Sequence, residues 1–247
     1  MKKLLYLLYQ PYKFLIVLPL VAVATIFFGT LAIFLSTVIS QRAGSVIGGT
    51  CWARFISFIT PMLVSVSGLE NINRKLSYVI VANHQSFYDI FVIYGWLRID
   101  IRWVMKMELR KVPFLGAASE KVGHIFVERT DSKSSRAALE KVKERMKPGT
   151  SVIFFPEGTR SVSGELGEFK KGAFHFAFDL SLPILPVTII GTEKILPPAT
   201  MNLFPGRARM IIHPPVHACE YGKENMDKLI SDVKETISSG RQRGKTT

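Results

Sequence analysis

Ser77-Tyr78-Val79-Ile80-Val81-Ala82-Asn83-His84-Gln85-Ser86-Phe87-Tyr88-Asp89 is a β-rich apolar run that turns polar at Asn83, and from Phe87 to Leu97 the chain reads as an apolar helix. A short, continuous apolar run suits a strand buried on both faces, as in parallel sheets covered by helices. The alternation repeats downstream. Ile101 to Met105, His124 to Val127, Ser151 to Phe155, Pro183 to Ile190 and Arg207 to Ile212 read as strands. Ser135 to Lys147, Phe169 to Leu180 and Lys223 to Ser239 read as helices, the first stopped by Pro148-Gly149. The expectation is an α/β fold with a mostly parallel central sheet flanked by helices.

Upstream of this pattern the chain changes character. Phe14 to Ser40 contains no charged residue over 27 positions, more than the roughly 20 needed to cross a bilayer core. A cleaved leader would turn polar after Ala22-Val23-Ala24, whereas Thr25 onward stays apolar for another fifteen residues. A weaker apolar stretch, Val46 to Ser67, is interrupted by Arg54 and Pro61. Together they predict an N-terminal two-helix membrane anchor over 1–67, followed by an α/β domain over 68–240 and a frayed basic tail over 241–247. Basic residues flank both ends of the first run, so charge asymmetry does not argue for a single crossing. A hairpin or deeply embedded monotopic anchor is favoured, at the cell membrane with the basic domain on the cytoplasmic face.

The 247 residues carry 32 Lys and Arg against 19 Asp and Glu, a net charge of +13. The first 67 residues hold five of the basic residues and no acidic one. A basic surface beside a lipid segment suits anionic headgroups and phosphorylated substrates; nucleic acid would fit the charge too, and charge alone does not separate the two. The expected partners are membrane phospholipids, with no nucleic acid. Cys51 and Cys219, the two cysteines, have neither disulfide-framework nor metal spacing. No metal site is expected, since Pro214-Pro215 prevents a helix from presenting His213 and His217 together. Gly240-x-x-x-Gly244-Lys245-Thr246 is one residue short of a phosphate-binding loop, and no Gly-x-Ser-x-Gly elbow occurs.

Ligands of open α/β sheets bind beyond the carboxyl ends of strands, which is where the polar residues after Ala82 fall. His84 has the chemistry of a general base, and Asp89 is the nearest carboxylate able to orient it. Five residues along a regular helix would place the pair roughly 140° apart. They meet only if His84 precedes the helix and Asp89 lies in its first turn. Ser86-x-x-Asp89 fits a capping box that starts a helix there, so two readings stand: a catalytic pair, or a helix cap beside an ordinary loop histidine. Phe155-Pro156-Glu157-Gly158-Thr159-Arg160-Ser161 follows another buried strand, with a glycine turn and an arginine suited to phosphate. Lys106, Arg129 and Arg160 stand at the ends of three strands and could converge on one anion.

Asn-His-x4-Asp, Gly-x-Ile-Phe-Val-x-Arg, Phe-Pro-Glu-Gly-Thr-Arg-Ser and Leu182-Pro183-Ile184-Leu185-Pro186-Val187, in this order over residues 77–190, resemble the glycerolipid acyltransferase family. The likeness is greatest to enzymes that acylate 1-acylglycerol 3-phosphate. It implies His84 as base and Asp89 as its partner. It also implies acceptor binding by Arg129, while Glu157, Gly158 and Arg160 match the family's third motif and Pro186 the fourth. Lys106 and Thr159 are expected to join them in substrate or phosphate binding, and backbone amides around Gly158 to stabilise the oxyanion. Lysophosphatidic acid would be the acceptor, and acyl-CoA or acyl-carrier protein the donor, with no cofactor. Glu128 departs from the Asp or Asn common in relatives. Another acceptor, such as glycerol 3-phosphate or a different lysophospholipid, and a non-catalytic anionic-lipid binder are the alternatives; the absent serine elbow opposes a lipid hydrolase.

Overall fold

The computed structural model describes residues 7, 9–128, 137–140, 143, 146–161 and 164–245. One sheet contains β1 (Met62–Ser67), β2 (Val79–Ala82), β3 (Asp100–Lys106), β4 (Ile125–Val127), β5 (Thr150–Phe154), β6 (Ile184–Ile190) and β7 (Gly206–Ile212). The strand order is β1-β7-β6-β2-β5-β3-β4. β6, β2, β5, β3 and β4 pair in parallel, while β7 runs antiparallel to β6 and parallel to β1. The expected mostly parallel α/β fold is therefore present, with β2 in the middle of the sheet.

Alternation along β2 divides the core between two faces. Ile80 and Ala82 join one apolar layer with α2 (Thr50–Ile59) and α3 (Asp89–Trp96). Val79 and Val81 join the other with α5 (Gly172–Asp179) and α7 (Met226–Lys245), α4 (Leu115–Lys121) and α6 (Thr192–Ile195) being shorter. Ile80, Ile153 and Leu185 are at most 1% exposed, and burial of each such side chain contributes about 1.5–3 kcal/mol. This two-sided burial explains why β2 reads as an unbroken apolar run.

The N-terminal segment departs from expectation in two respects. Tyr9–Val38 is a 30-residue helix, including α1 (Leu18–Val38), and among the described residues it alone is long and apolar enough to cross a membrane. Little of it is buried. Residues 41–59 form the returning arm of a helical hairpin, but this arm packs on the sheet domain through Thr50 Oγ1 to Tyr94 O (3.2 Å) and Arg54 Nε to Gly95 O (2.9 Å). The two-helix anchor is thus one apolar helix and one docking helix. Met62–Ser67, expected within the anchor, is instead the edge strand β1, because its backbone finds β7 as a partner. The basic tail is corrected likewise: the last helix runs on through Lys245, and Arg241 in it is buried. Of the helix expected over Ser135 to Lys147, residues 137–140 and 143 are helical, while 135–136, 141–142 and 144–145 lie outside the described residues.

The helix α7 closes on β6 where Gly240 meets Thr188 and His213. A Cβ on Gly240 would stand 2.6 Å from Thr188 Oγ1 and 2.8 Å from His213 Nε2, so only glycine permits this approach. Thr188 Oγ1 and His213 Nε2 share a hydrogen bond of 2.8 Å. Burial, helped by the charge of Arg243, lowers the His213 pKa to about 4. The unfolded chain therefore takes up a proton as pH falls below the ordinary histidine value of about 6.5, while the folded chain stays neutral until about 4. The stabilisation is full above pH 6.5 and is lost downward. His213→Gln is expected to remove about 1.4 kcal/mol per pH unit from the acid slope of unfolding free energy across this window, as measured by urea melts.

Candidate active site

Four adjacent parallel strands deliver polar residues to one edge of the sheet. Asn83 and His84 follow β2, Phe155 to Arg160 follow β5, Lys106 ends β3, and Thr192 and Glu193 follow β6. Asn83 fastens the first of these loops. Its side chain donates to Ile189 O at 2.9 Å and accepts from Ile189 N at 2.7 Å, reproducing a strand-like pairing after β2 has ended.

His84 lies before α3 and Asp89 is the first residue of that helix, so the geometric condition set by their spacing is met. His84 Nδ1 stands 2.9 Å from Asp89 Oδ2. The same oxygen accepts the backbone N–H groups of Gln85 (2.7 Å) and Ser86 (2.9 Å), while Oδ1 accepts from Thr192 Oγ1 (2.5 Å). Asp89 therefore serves as helix-start acceptor and as histidine partner at once; the two readings of the spacing are not exclusive. The pairing fixes Nδ1 as the protonated nitrogen and leaves the Nε2 lone pair to act as base. The imidazole is also stacked on Phe155, with centroids 3.9 Å apart and planes 11° from parallel.

The loop after β5 is joined to His84 from the other side. His84 N donates to Glu157 Oε1 at 2.8 Å, Gly167 N donates to Glu157 Oε2 at 2.9 Å, and Ser161 N donates to His84 O at 2.9 Å. Glu157 was expected among the substrate-binding residues. Both of its carboxylate oxygens hold backbone amides, which makes it a brace between loops. Gly158 adopts φ 75°, with Lys170 against the space a Cβ would need, and its N–H donates to Phe155 O at 3.0 Å. That amide closes the turn. Thr159 and Arg160, next in the loop, are exposed.

His84, Lys106 and Arg160 share the wall of a single cavity of about 280 Å³, whose remaining lining is mostly apolar. Lys106 also pairs with Glu108 at 2.5 Å, both side chains being half exposed. Arg129 lies outside the described residues. Ring contacts trace the cavity inward: Phe155 to Trp103 (6.0 Å), Trp103 to Tyr94 (5.7 Å) and Tyr94 to His124 (5.9 Å). Burial first, then the Arg102 charge, lowers His124 to about 3 and keeps its ring neutral. The opposite wall comes from the N-terminal hairpin, through Phe28, Gly29, Ala32, Gly44 and Gly48. These lining residues carry no chemical motif, and nothing local in the sequence singles them out.

A family model described as Acyltransferase matches residues 63–190, just over half of the chain. The chain belongs to the acyltransferase family. It is 31% identical to a 1-acyl-sn-glycerol-3-phosphate acyltransferase of Pseudomonas aeruginosa, over 91% of both chains. It is 38% identical to a chloroplastic protein of the same description from Arabidopsis thaliana, over 76% of this chain and 51% of that one. The chain thus spans about half the length of the plant relative it matches. The crystal structure of the 1-acyl-sn-glycerophosphate acyltransferase PlsC from Thermotoga maritima superimposes with a TM-score of 0.83 at 29% identity, covering 100% of this chain and 99% of that one. The family match takes in His84, Asp89, Lys106 and Arg160, and with them the motifs that carried the resemblance.

Thr192 is the contact least visible beforehand, lying 103 residues from Asp89. Thr192→Val removes a hydroxyl donor to a buried carboxylate while keeping the side chain's shape. Hydrogen bonds to charged groups contribute about 1.5–3 kcal/mol, so a loss of about tenfold or more in turnover is expected, with His84 still in place. Steady-state acyl transfer by the variant checks this.

Proposed function

We propose that this chain transfers a fatty acyl group from a thioester donor to the sn-2 hydroxyl of 1-acylglycerol 3-phosphate, forming phosphatidic acid. The observation that carries the reading is the His84–Asp89 pair at the wall of an apolar cavity that also holds Lys106 and Arg160. Those cations suit the acceptor's phosphate, with Thr159 beside them. Arg129 is assigned to the same acceptor by its place in the motif. The relatives' descriptions point to the same substrate.

In the reaction, His84 Nε2 takes the proton of the acceptor hydroxyl as its oxygen attacks the thioester carbonyl. Asp89 stabilises the resulting imidazolium. Collapse of the tetrahedral intermediate breaks the carbon–sulfur bond, and the leaving thiolate recovers the proton. Because both reactants are bound together, no acyl-enzyme is needed. The charges balance without a metal or redox cofactor. Backbone amides of the loop around Gly158, at Thr159 and Arg160, take the oxyanion role.

One acyl chain occupies the apolar cavity, and lipid covers the outer surface of the N-terminal helix. Phe27, Phe34, Val38 and Ile39 on that helix and its end are exposed, as are Phe58 on the returning arm and Leu63, Phe87 and Phe114 on the adjoining domain. Such an apolar surface suits a chain immersed to the depth at which its substrates' tails lie. The basic domain then faces the cytoplasm at the cell membrane, beside anionic headgroups.

The test is acyl transfer to lysophosphatidic acid in detergent, with acyl-CoA and acyl-carrier protein compared as donors. His84→Ala, correctly folded, is expected to lose about 10²–10⁴-fold in turnover. Near-normal turnover in that variant would rule out His84 as the base. Val122 and Ala32 lie in one small apolar cluster lining the cavity beyond Tyr94. Val122→Phe is expected to move preference toward shorter acyl chains, read by competition among donors and acceptors of graded length, while costing about 1–3 kcal/mol in stability.

A further inference from the structure

The last helix brings a buried guanidinium to the loop that carries the base. Arg241 is 9% exposed and donates to the carbonyl of Gly164. With the Gln85 amide turned to satisfy its neighbours, Gln85 Oε1 also accepts from Arg241 Nη2 and Nε, each at 2.8 Å. The amide nitrogen then donates to Glu193 Oε2 at 2.9 Å, so one neutral amide lies between a cation and an anion that fix its direction. Gln85 is the residue after His84, and its backbone N–H is one of the donors to Asp89 Oδ2. Gly164 belongs to the loop whose Ser161 N and Gly167 N reach His84 O and Glu157. One guanidinium therefore joins the loop holding the base to the loop following Arg160.

We propose that Arg241 is a positioning residue for acyl transfer, setting the His84–Asp89 loop against the Arg160 loop; this rests on the acyl-transfer reading above. A buried cation is a costly way merely to attach a helix, since leaving water penalises the charge. Among the described residues no carboxylate pairs with this guanidinium, and two carbonyl oxygens of the site's own loops receive it. Its planar fork suits two parallel donors to one amide oxygen, which the single ammonium of lysine matches poorly. Arg241 makes no contact with the cavity, so its effect on the reaction passes through Gln85 and Gly164.

The experiment compares full-length wild type with Arg241→Met, Arg241→Lys, Gln85→Met and the Arg241→Met/Gln85→Met double variant. Expected for Arg241→Met is a fall in kcat per folded enzyme of about ten- to hundredfold, as for small misplacements of catalytic groups. KM for lysophosphatidic acid should stay within about twofold, since the phosphate-binding side chains remain. Arg241→Lys should recover part of kcat, and the double variant should be no slower than the slower single one. An unchanged kcat in folded Arg241→Met or Arg241→Lys, whatever their melting temperatures, would overturn the proposal. Losses that multiply in the double variant would do the same. If Arg241→Met does not fold, Arg241→Lys and Gln85→Met carry the test, with unchanged kcat in both as the overturning result. Carbethoxylation of His84, followed by peptide mass spectrometry, needs no acyl substrate. A changed rate in the Arg241 variants supports the proposal even if wild type proves inactive on lysophosphatidic acid, and an unchanged rate counts against it.

Discussion

A buried carboxylate is tolerated only where donors replace its water, and the site is built around how Asp89 meets that requirement. Its side chain takes one imidazole N–H, two backbone amides and one hydroxyl, supplied by the loop after β2 and by α6. The position at the first turn of α3 adds the favourable end of the helix dipole. Satisfying the charge forces residues 84–86 to curl over the helix start, which is the conformation that places His84 beside its partner. Stability of the turn and orientation of the imidazole are thus the same set of hydrogen bonds.

The neighbouring loop is tied to this turn through backbone groups. Glu157 receives amides from both sides of the gap, Ser161 returns a bond to His84, and Arg241 joins the two loops from behind. Such contacts restrict the loop that carries Arg160 without occupying the arginine itself. Among the described residues no carboxylate pairs with the Arg160 guanidinium, and such a cation can bind an anionic substrate without first giving up an ion pair. Lys106, by contrast, is held by Glu108 at an exposed position where the pair is weak and easily exchanged.

The apolar cavity arises from how small residues let the N-terminal hairpin close. A Cβ on Gly44 would meet Ser36, and one on Gly48 would fall 2.7 Å from Ala32 Cβ, so the two arms approach as closely as their backbones allow. Trp52 Nε1 donates to Thr25 Oγ1 at 3.1 Å, holding the arms together nearer the domain. The returning arm packs on α3 and the first arm touches α4, which leaves a space between hairpin and sheet. The long apolar N-terminal helix is consequently a wall of the cavity.

From the sequence by itself came the parallel α/β core, the apolar N-terminal helix and the His84–Asp89 pair. Apolar strands such as 79–82 declare two-sided burial through composition, and a base and carboxylate five residues apart meet through local turn geometry. Strand β1 was hidden because Met62 to Ser67 is as apolar as the anchor preceding it, and its partner β7 lies far along the chain. The basic end was hidden for a different reason: charge suggested solvent, while a buried amide and a loop carbonyl were waiting for Arg241. Thr192, Glu157 as a brace, and the cavity wall from Tyr94 to His124 were likewise decided only by the tertiary structure. Sequence records what each residue prefers and whom it can reach along the chain; contacts across 103 residues depend on which strands the sheet places side by side.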